Sequence, residues 1–438
     1  MNILMVTNTY TPVVGGVERS IRSYTREYRK SGHHVLIVTL EFDDMPREEV
    51  DVVRLPSIRR FNGSDFSIRM PIPFNLTTTL KAFKPDIVHS HHPFILGDTA
   101  LRIAKQYQIP LVFTHHTRYE DYTHYVPIEM PAMRNFVIEL TGGYADLADH
   151  VIAPSRAIEQ RLKDLDVTTP VTVLPTGVDF DAFQKGDSLA FRKKFGIDDS
   201  RRCIGHVGRL AREKNLDFLV EGVVDVLKSD KNAVFVLVGK GPELETIERT
   251  ISTHGLSAQF VHTGVLEGQD LIDVYHAMDL FVFSSKSETQ GMVLLEAMAA
   301  STPVVALSAS GVDDVVEEGQ NGFLVGEESR SSFVDRMMRV LNAESSIYQG
   351  FQQQARETAR SLSIENTAQI ALQIYHSLVQ KQYHRGDFEN SPWSSALGRI
   401  KAEWELLGNL AGSVGQTLKE RLSEKDALFK SFRKEEGD

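Results

Sequence analysis

Cysteine is almost missing from these 438 residues: Cys203 stands alone. No internal disulfide can form, so packed cores must supply the stability, and the composition fits a reducing compartment. Positive charge is also in deficit, with a net charge of -11. That argues against nucleic acid as a partner, because phosphate backbones select basic surfaces; local basic patches remain open. Long apolar runs are missing too: none reaches the ~18 residues that cross a bilayer. The N-terminus, Met-Asn-Ile-Leu-Met-Val-Thr-Asn, lacks the basic region of a signal peptide and reads as a first strand. The expected location is the cytosol or the periphery of a membrane. Tryptophan is scarce as well, and both copies, Trp393 and Trp404, fall near the C-terminal end.

What is present is an alternation of short β-branched runs with helical stretches, the pattern of parallel α/β sheets. Strands are expected at Ile3–Val6, Val35–Thr39, Val52–Leu55, Ile87–His89, Leu111–Thr114, Val151–Ala153 and Val171–Leu174. After a turn-rich link at Leu174–Phe180 the pattern restarts, with strands at Ile204–Val207, Val234–Val238, Phe260–Thr263, Leu280–Phe283, Val304–Ala306 and Phe323–Val325. Two Rossmann-like halves follow, residues 1–180 and 181–364, with a cleft between their carboxyl-end loops. Residues 365–383 read as a further helix, expected to cross back to the first half, and 384–438 as a tail. In the tail, Leu397, Ile400, Trp404, Leu407, Ala411, Val414 and Leu418 make one apolar stripe at helical spacing. A helix packed on the body or on a second copy accounts for that stripe better than a membrane helix does, because its polar face mixes both charges.

The chemistry gathers at strand ends. Glu288 and Glu296 lie eight residues apart, one in a polar loop and one in a helix expected to start near Gly291. Free N–H groups at that start, at Gly291 and Met292, suit a phosphate, and the carboxylates suit sugar hydroxyls. This is a site for a sugar joined to a nucleotide through a diphosphate. A glycosidase couple is the weaker reading, since it needs both carboxyls on one bond. Arg209 and Lys214 follow the first strand of the second half, where two cations could face a diphosphate; a solvated charged loop is the plain alternative. Gly15-Gly16 holds the same relative position in the first half, a helix start that a ligand backbone can approach closely, or simply a turn. His89, His91 and His92 follow one strand, and His115 and His116 the next. They lack a nearby carboxylate pattern, so a metal is disfavoured against a substrate-binding histidine.

Together these residues resemble the retaining glycosyltransferases of family 4, of GT-B architecture, across roughly residues 1 to 380. The Glu-x7-Glu element, Gly15-Gly16, the Arg209 and Lys214 pair, Gly239-Lys-Gly-Pro242 and Pro303-Val-Val-Ala306 carry the likeness. Ser301 departs from it, where many relatives have glycine. The resemblance implies a UDP-sugar donor and no metal or other cofactor. It makes Arg209 and Lys214 stabilisers of the diphosphate, Glu288 a grip on the sugar, Glu296 a grip on the ribose, and His116 an active-site histidine. The stretch from His116 to Tyr125 is similar to glucosyltransferases acting on diacylglycerol, which implies a lipid acceptor and an anionic membrane surface. Arg59, Arg60, Phe61 and Arg69 lie in a basic and apolar segment suited to such a surface, or to an ordinary packed loop. Residues 126–133 are a second candidate for lipid contact, and self-association through the tail stays open.

Overall fold

The computed structural model describes residues 1–13, 15–46, 49–58, 68–69, 74–116, 131–286 and 288–381. In chain order the first half contains β1 (Asn2–Val6), α1 (Gly16–Lys30), β2 (His34–Leu40), β3 (Val52–Leu55), β4 (Ser57–Ile58), β5 (Ile68–Arg69) and α2 (Phe74–Phe83). It continues through β6 (Ile87–Ser90), α3 (Leu96–Tyr107), β7 (Leu111–Thr114), α4 (Pro131–Leu147), β8 (His150–Ala153), α5 (Arg156–Asp164) and β9 (Val171–Val173). The seven-stranded sheet runs β3-β2-β1-β6-β7-β8-β9, with every pairing parallel.

The second half contains α6 (Phe180–Phe183), α7 (Ser188–Phe195), β10 (Arg202–Val207), α8 (Leu216–Ser229), β11 (Ala233–Val238), α9 (Leu244–Thr253) and β12 (Phe260–Gly264). Then come α10 (Gly268–Ala277), β13 (Leu280–Phe283), α11 (Met292–Ala299), β14 (Val304–Leu307), β15 (Gly322–Val325), α12 (Arg330–Leu341), α13 (Ser345–Ser361) and α14 (Ile364–Val379). Its six-stranded sheet runs β12-β11-β10-β13-β14-β15, again all parallel. All thirteen expected strands form, most of them a residue or two longer than their apolar runs. The antiparallel pair β4 and β5 was not foreseen: four residues with charged neighbours give no period to read.

Helices cover both faces of each sheet, so the strands are mostly apolar and alternate residues serve different cores. Leu4, Val6, Leu36 and Val38 pack on one face of the first sheet, and Ile3, Met5, Val35 and Ile37 on the other. In β11, Val234, Val236 and Val238 face one core, while Phe235 and Leu237 face the next. In each sheet the order reverses beside the first strand of its half, between β1 and β6 and between β10 and β13. Ligands of open α/β sheets bind at the carboxyl end of that reversal. The histidines, Gly15-Gly16, Lys214 and Glu288 all follow strands that flank it or lie next to it.

The chain then returns to its beginning. Val178 pairs with Ser363, and α14 places Ile364, Ala368, Ala371, Leu372, Tyr375 and Leu378 in one core with Ile3, Met5, Tyr24 and Tyr28. Those spacings of three and four form a single helical face. Ser363 caps the helix by accepting from Asn366 N at 3.3 Å. At the crossing the backbones nearly touch, since a Cβ on Gly177 would fall 2.3 Å from Ile364 N.

Candidate functional site

The cationic side of the site is built by backbone crowding. Gly239, after β11, has φ of 135°, and a Cβ there would sit 1.9 Å from the Gly208 carbonyl oxygen. Only glycine lets the loops after β10 and β11 approach that closely. Leu210 N then donates to Lys240 O at 3.0 Å, and the chain turns through one 3-10 turn, Arg212–Lys214. The Ser284 hydroxyl, just past β13, donates to Lys214 O at 2.8 Å and fixes this turn against the neighbouring strand. Lys214 Nζ consequently meets Glu288 Oε2 at 2.9 Å, with side chains 22% and 19% exposed. Arg209 is not part of that pair: its Nη2 binds Glu213 within the same turn, and its side chain is 60% exposed.

An uncapped helix start follows directly. Gly291 takes φ of 64° and is the N-cap of α11, offering no side chain to bond the first N–H groups. A helix start left uncapped presents donors and a positive dipole end to an anion. Four residues into α11, Glu296 is buried, accepting from the Tyr275 hydroxyl at 2.7 Å and lying 3.4 Å from Arg19 Nη1. Burial pushes its carboxyl above the usual carboxylate range, opposed by the Arg19 charge and the Tyr275 hydrogen bond. Burial, with the neighbouring Glu296 charge, also holds the Tyr275 phenol well above its ordinary value, so it remains a donor.

Arg19 belongs to the first half, in the turn of α1 opened by Gly15-Gly16, so the two Gly-rich helix starts are linked through Glu296. Gly15 is extended, and a Cβ on it would lie 2.5 Å from Glu18 Oε2. Beside this link, Thr176 N donates to Gln290 Oε1 at 3.2 Å, and the Thr176 hydroxyl donates to Ser20 Oγ at 2.8 Å. Arg19, Tyr275 and Thr176 carry no sequence signal, and Gln290 shows only as part of the Glu288-Thr-Gln-Gly291 wording; the tertiary arrangement alone brings them together here.

The histidines form a buried layer at the ends of β6 and β7. His91 Nδ1 lies 2.8 Å from His116 Nε2. His89 Nδ1 is 2.5 Å from the Tyr375 hydroxyl, and its Nε2 is 2.7 Å from Thr114 Oγ1. Burial lowers all of them: His89 to about 3, His92 and His115 to about 4, and His91 and His116 well below the ordinary imidazole value. Near neutral pH these rings are uncharged. Among the described residues no group of three or more His, Cys, Asp or Glu side chains is arranged to hold a metal ion. Two Asp-x-Asp tripeptides occur: residues 164–166 at the end of α5, and residues 179–181 at the link between halves, where Asp179 caps α6 and pairs with Arg26 at 2.7 Å. Arg59, Arg60, Phe61, residues 126–130 and the tail lie outside the described residues, and of Arg69 only its place in β5 is described.

Two all-parallel α/β units, with an uncapped helix start and a cation–carboxylate pair in the second, are the arrangement of a glycosyltransferase of GT-B fold. Solved structures share that fold. Anabaena HepE in complex with UDP matches with a TM-score of 0.68, at 20% identity, over 86% of this chain and 100% of that one. Sucrose-phosphate synthase from Thermosynechococcus elongatus also gives 0.68, at 19% identity, over 86% and 98%. Residues 14–182 match the model for Glycosyltransferase Family 4, and residues 187–361 that for Glycosyl transferases group 1. The chain belongs to the family 4 glycosyltransferases. It is 32% identical to the alpha-monoglucosyldiacylglycerol synthase of Streptococcus pneumoniae over 74% of this chain and 75% of the relative. The synthase of the same name from Acholeplasma laidlawii is 28% identical over 74% and 84%. A GDP-mannose-dependent alpha-mannosyltransferase of Corynebacterium glutamicum is 28% identical over 74% and 76%. No helix among the described residues is long and apolar enough to cross a membrane.

Proposed function

We propose that this glycosyltransferase moves a hexose from a UDP-sugar to the hydroxyl of a membrane lipid such as diacylglycerol, with retention at the anomeric carbon and without a metal. The observation that carries the donor half is the Lys214–Glu288 pair at 2.9 Å beside the uncapped start of α11. Lys214, Arg209 and the first N–H groups of α11 neutralise charge as the diphosphate departs, which is where preorganised donors lower a barrier most. Glu288 grips sugar hydroxyls, Glu296 the ribose, and Gly15-Gly16 lets α1 close over the diphosphate.

Retention is inferred from the family resemblance, and the carboxylates bear only on the route to it. Glu288 is tied to Lys214, and Glu296 to Tyr275 and Arg19, so neither is free as a covalent nucleophile. The incoming hydroxyl instead attacks on the face the diphosphate leaves, giving its proton to a departing phosphate oxygen. His116 orients the donor sugar and is not the base. The lipid acceptor rests on the relatives named for diacylglycerol, which also favour glucose. The relative named for GDP-mannose supports a second reading, with GDP-mannose as donor.

The test is a mass-spectrometric screen of UDP-glucose, UDP-galactose and GDP-mannose against diacylglycerol in anionic vesicles and against soluble alcohols. The expected product is a monohexosyl lipid, with an α-configured anomeric proton from an α-configured donor. A β-linked product overturns retention, and transfer only to soluble alcohols overturns the lipid acceptor. Isomerised nucleotide sugar formed without any acceptor points to an epimerase.

A further inference from the structure

His91 was one of five histidines read together from the sequence, yet its two nitrogens have different surroundings. Nδ1 faces His116 Nε2 at 2.8 Å, while Nε2 is buried with no hydrogen-bond partner. The ring is held against His89, with centroids 4.1 Å apart. His91 also lines a small cavity of about 10 Å³, close to the room one water needs. Ser20, Tyr28, His89, Thr114 and Thr176 share that cavity, and Thr176 bonds in turn to Gln290, the neighbour of Gly291.

Two neutral imidazoles sharing one hydrogen bond allow two arrangements. Either His91 donates from Nδ1 and keeps a bare lone pair at Nε2, or His116 donates from Nε2 and His91 must bury an Nε2–H. The surrounding protons decide between them. Tyr28 donates its hydroxyl proton to the Tyr375 oxygen at 3.2 Å, so Tyr375 donates to His89 Nδ1. His89 then carries its proton on Nε2 and donates to Thr114, whose own hydroxyl proton is left for the cavity. Ser20 is in the same position, since its oxygen accepts from Thr176. The cavity therefore has spare donors for an acceptor at His91 Nε2, whether reached directly or through one water. A buried N–H without an acceptor is also costlier than an unused lone pair.

We propose that His91 is a positioning residue: it donates Nδ1–H to His116 Nε2 and so fixes His116 as the Nδ1–H tautomer. In that state His116 can meet an oxygen of the donor sugar, and it cannot take a proton at that nitrogen. This inference rests on the glycosyltransferase reading only for its kinetic consequence.

The decisive measurement is long-range proton–nitrogen NMR on the full-length protein labelled at histidine nitrogens, with His91→Asn and His116→Asn used for assignment. Both rings are expected as Nδ1–H tautomers. An Nε2–H signal for His116 in the unsubstituted protein overturns the proposal, whatever the enzyme transfers. In kinetics, His91→Asn keeps an amide N–H near the Nδ1 position and should stay within about threefold of the parent kcat. His91→Leu should lower kcat by about 10- to 100-fold while the donor KM moves less than about twofold, the scale seen when a supporting hydrogen bond is lost. Equal rates in the two variants, with both shown to be folded, would also overturn it.

Discussion

Replacing Lys214 by alanine separates a catalytic from a structural role for the Lys214–Glu288 pair. The bond is 2.9 Å long and each side chain is about one-fifth exposed, so water still screens the pair. A partly exposed ion pair contributes about 0.5–1 kcal/mol to stability, which shifts a domain of this size by roughly 1–4 °C. Its effect on the reaction is much larger. Lys214 answers one carboxylate in the structure; in the proposed reaction it must answer a diphosphate that gains charge as the donor breaks down. Loss of one such preorganised donor costs about 3–4 kcal/mol in the barrier, a fall of about 10²- to 10³-fold in kcat.

The assay is initial-rate transfer at saturating acceptor with donor varied, beside thermal unfolding of the same preparations. Lys214→Met belongs in the series, because it keeps the stem's packing and removes only the charge. Both variants should lose the rate together while their unfolding midpoints stay within a few degrees of the parent. Adding Glu288→Ala should cost less than its separate effect, since the two side chains share one hydrogen bond. Retention of more than about a third of parent kcat/KM by a folded Lys214→Ala protein would refute the diphosphate assignment.

Other consequences concern the fold around the site. Glu296→Gln should raise the thermal midpoint near pH 8 by about 1–3 °C, because the amide still accepts from Tyr275 and a buried charge is gone. A carboxyl whose folded pKa is raised favours the native state below the unfolded value, near 4.5, and loses that advantage as pH rises through the folded pKa. The gain should therefore shrink as pH falls toward 4.5; a loss of stability at pH 8 would mean the buried charge is better compensated than Arg19 and Tyr275 allow. Tyr375→Phe removes the hydroxyl between Tyr28 and His89 and should cost about 1–3 kcal/mol in urea unfolding. An unchanged midpoint there would mean that this network does not help hold α14 to the first sheet. Gly239→Ala forces a Cβ against the Gly208 carbonyl at an unfavourable φ and should cost about 3 kcal/mol or more, whereas Gly32→Ala, with open space around it, meets only the strain of its φ. Equal losses would show that the close approach of the two loops is not what requires glycine at 239.

The strands were legible because both faces of each sheet are covered, which turns them into unbroken apolar runs such as Leu280–Phe283. Their order was legible because a helix between parallel strands leaves a period that can be read. The pairing of particular polar residues was not. Nothing local tells Lys214 to seek Glu288, 74 positions away, in preference to Glu213 next to it. That choice is made by Ser284, which holds the turn, and by Gly239, which lets the loops approach. Likewise the five histidines were visible as a group, but their division into relays was not. It depends on Tyr375, which arrives from the far end of the described chain.

Glu288 and Glu296 show most clearly how much environment adds to spacing. In sequence they are two identical groups around a helix start. In the fold, Glu288 lies in the loop before α11 and shares a proton-rich ammonium in a partly wet setting. Glu296 lies on the helix, nearly closed off, beside a phenol held above its ordinary pKa. A glycosidase needs both carboxyls directed at one bond, as acid and base or nucleophile. Here each is committed to a different partner from a different element, Lys214 for one and Tyr275 with Arg19 for the other, so neither can exchange roles with its neighbour. A pair built this way can hold two parts of an extended ligand, as a nucleotide sugar requires, while the charge that moves in the reaction is met by cations and helix N–H groups.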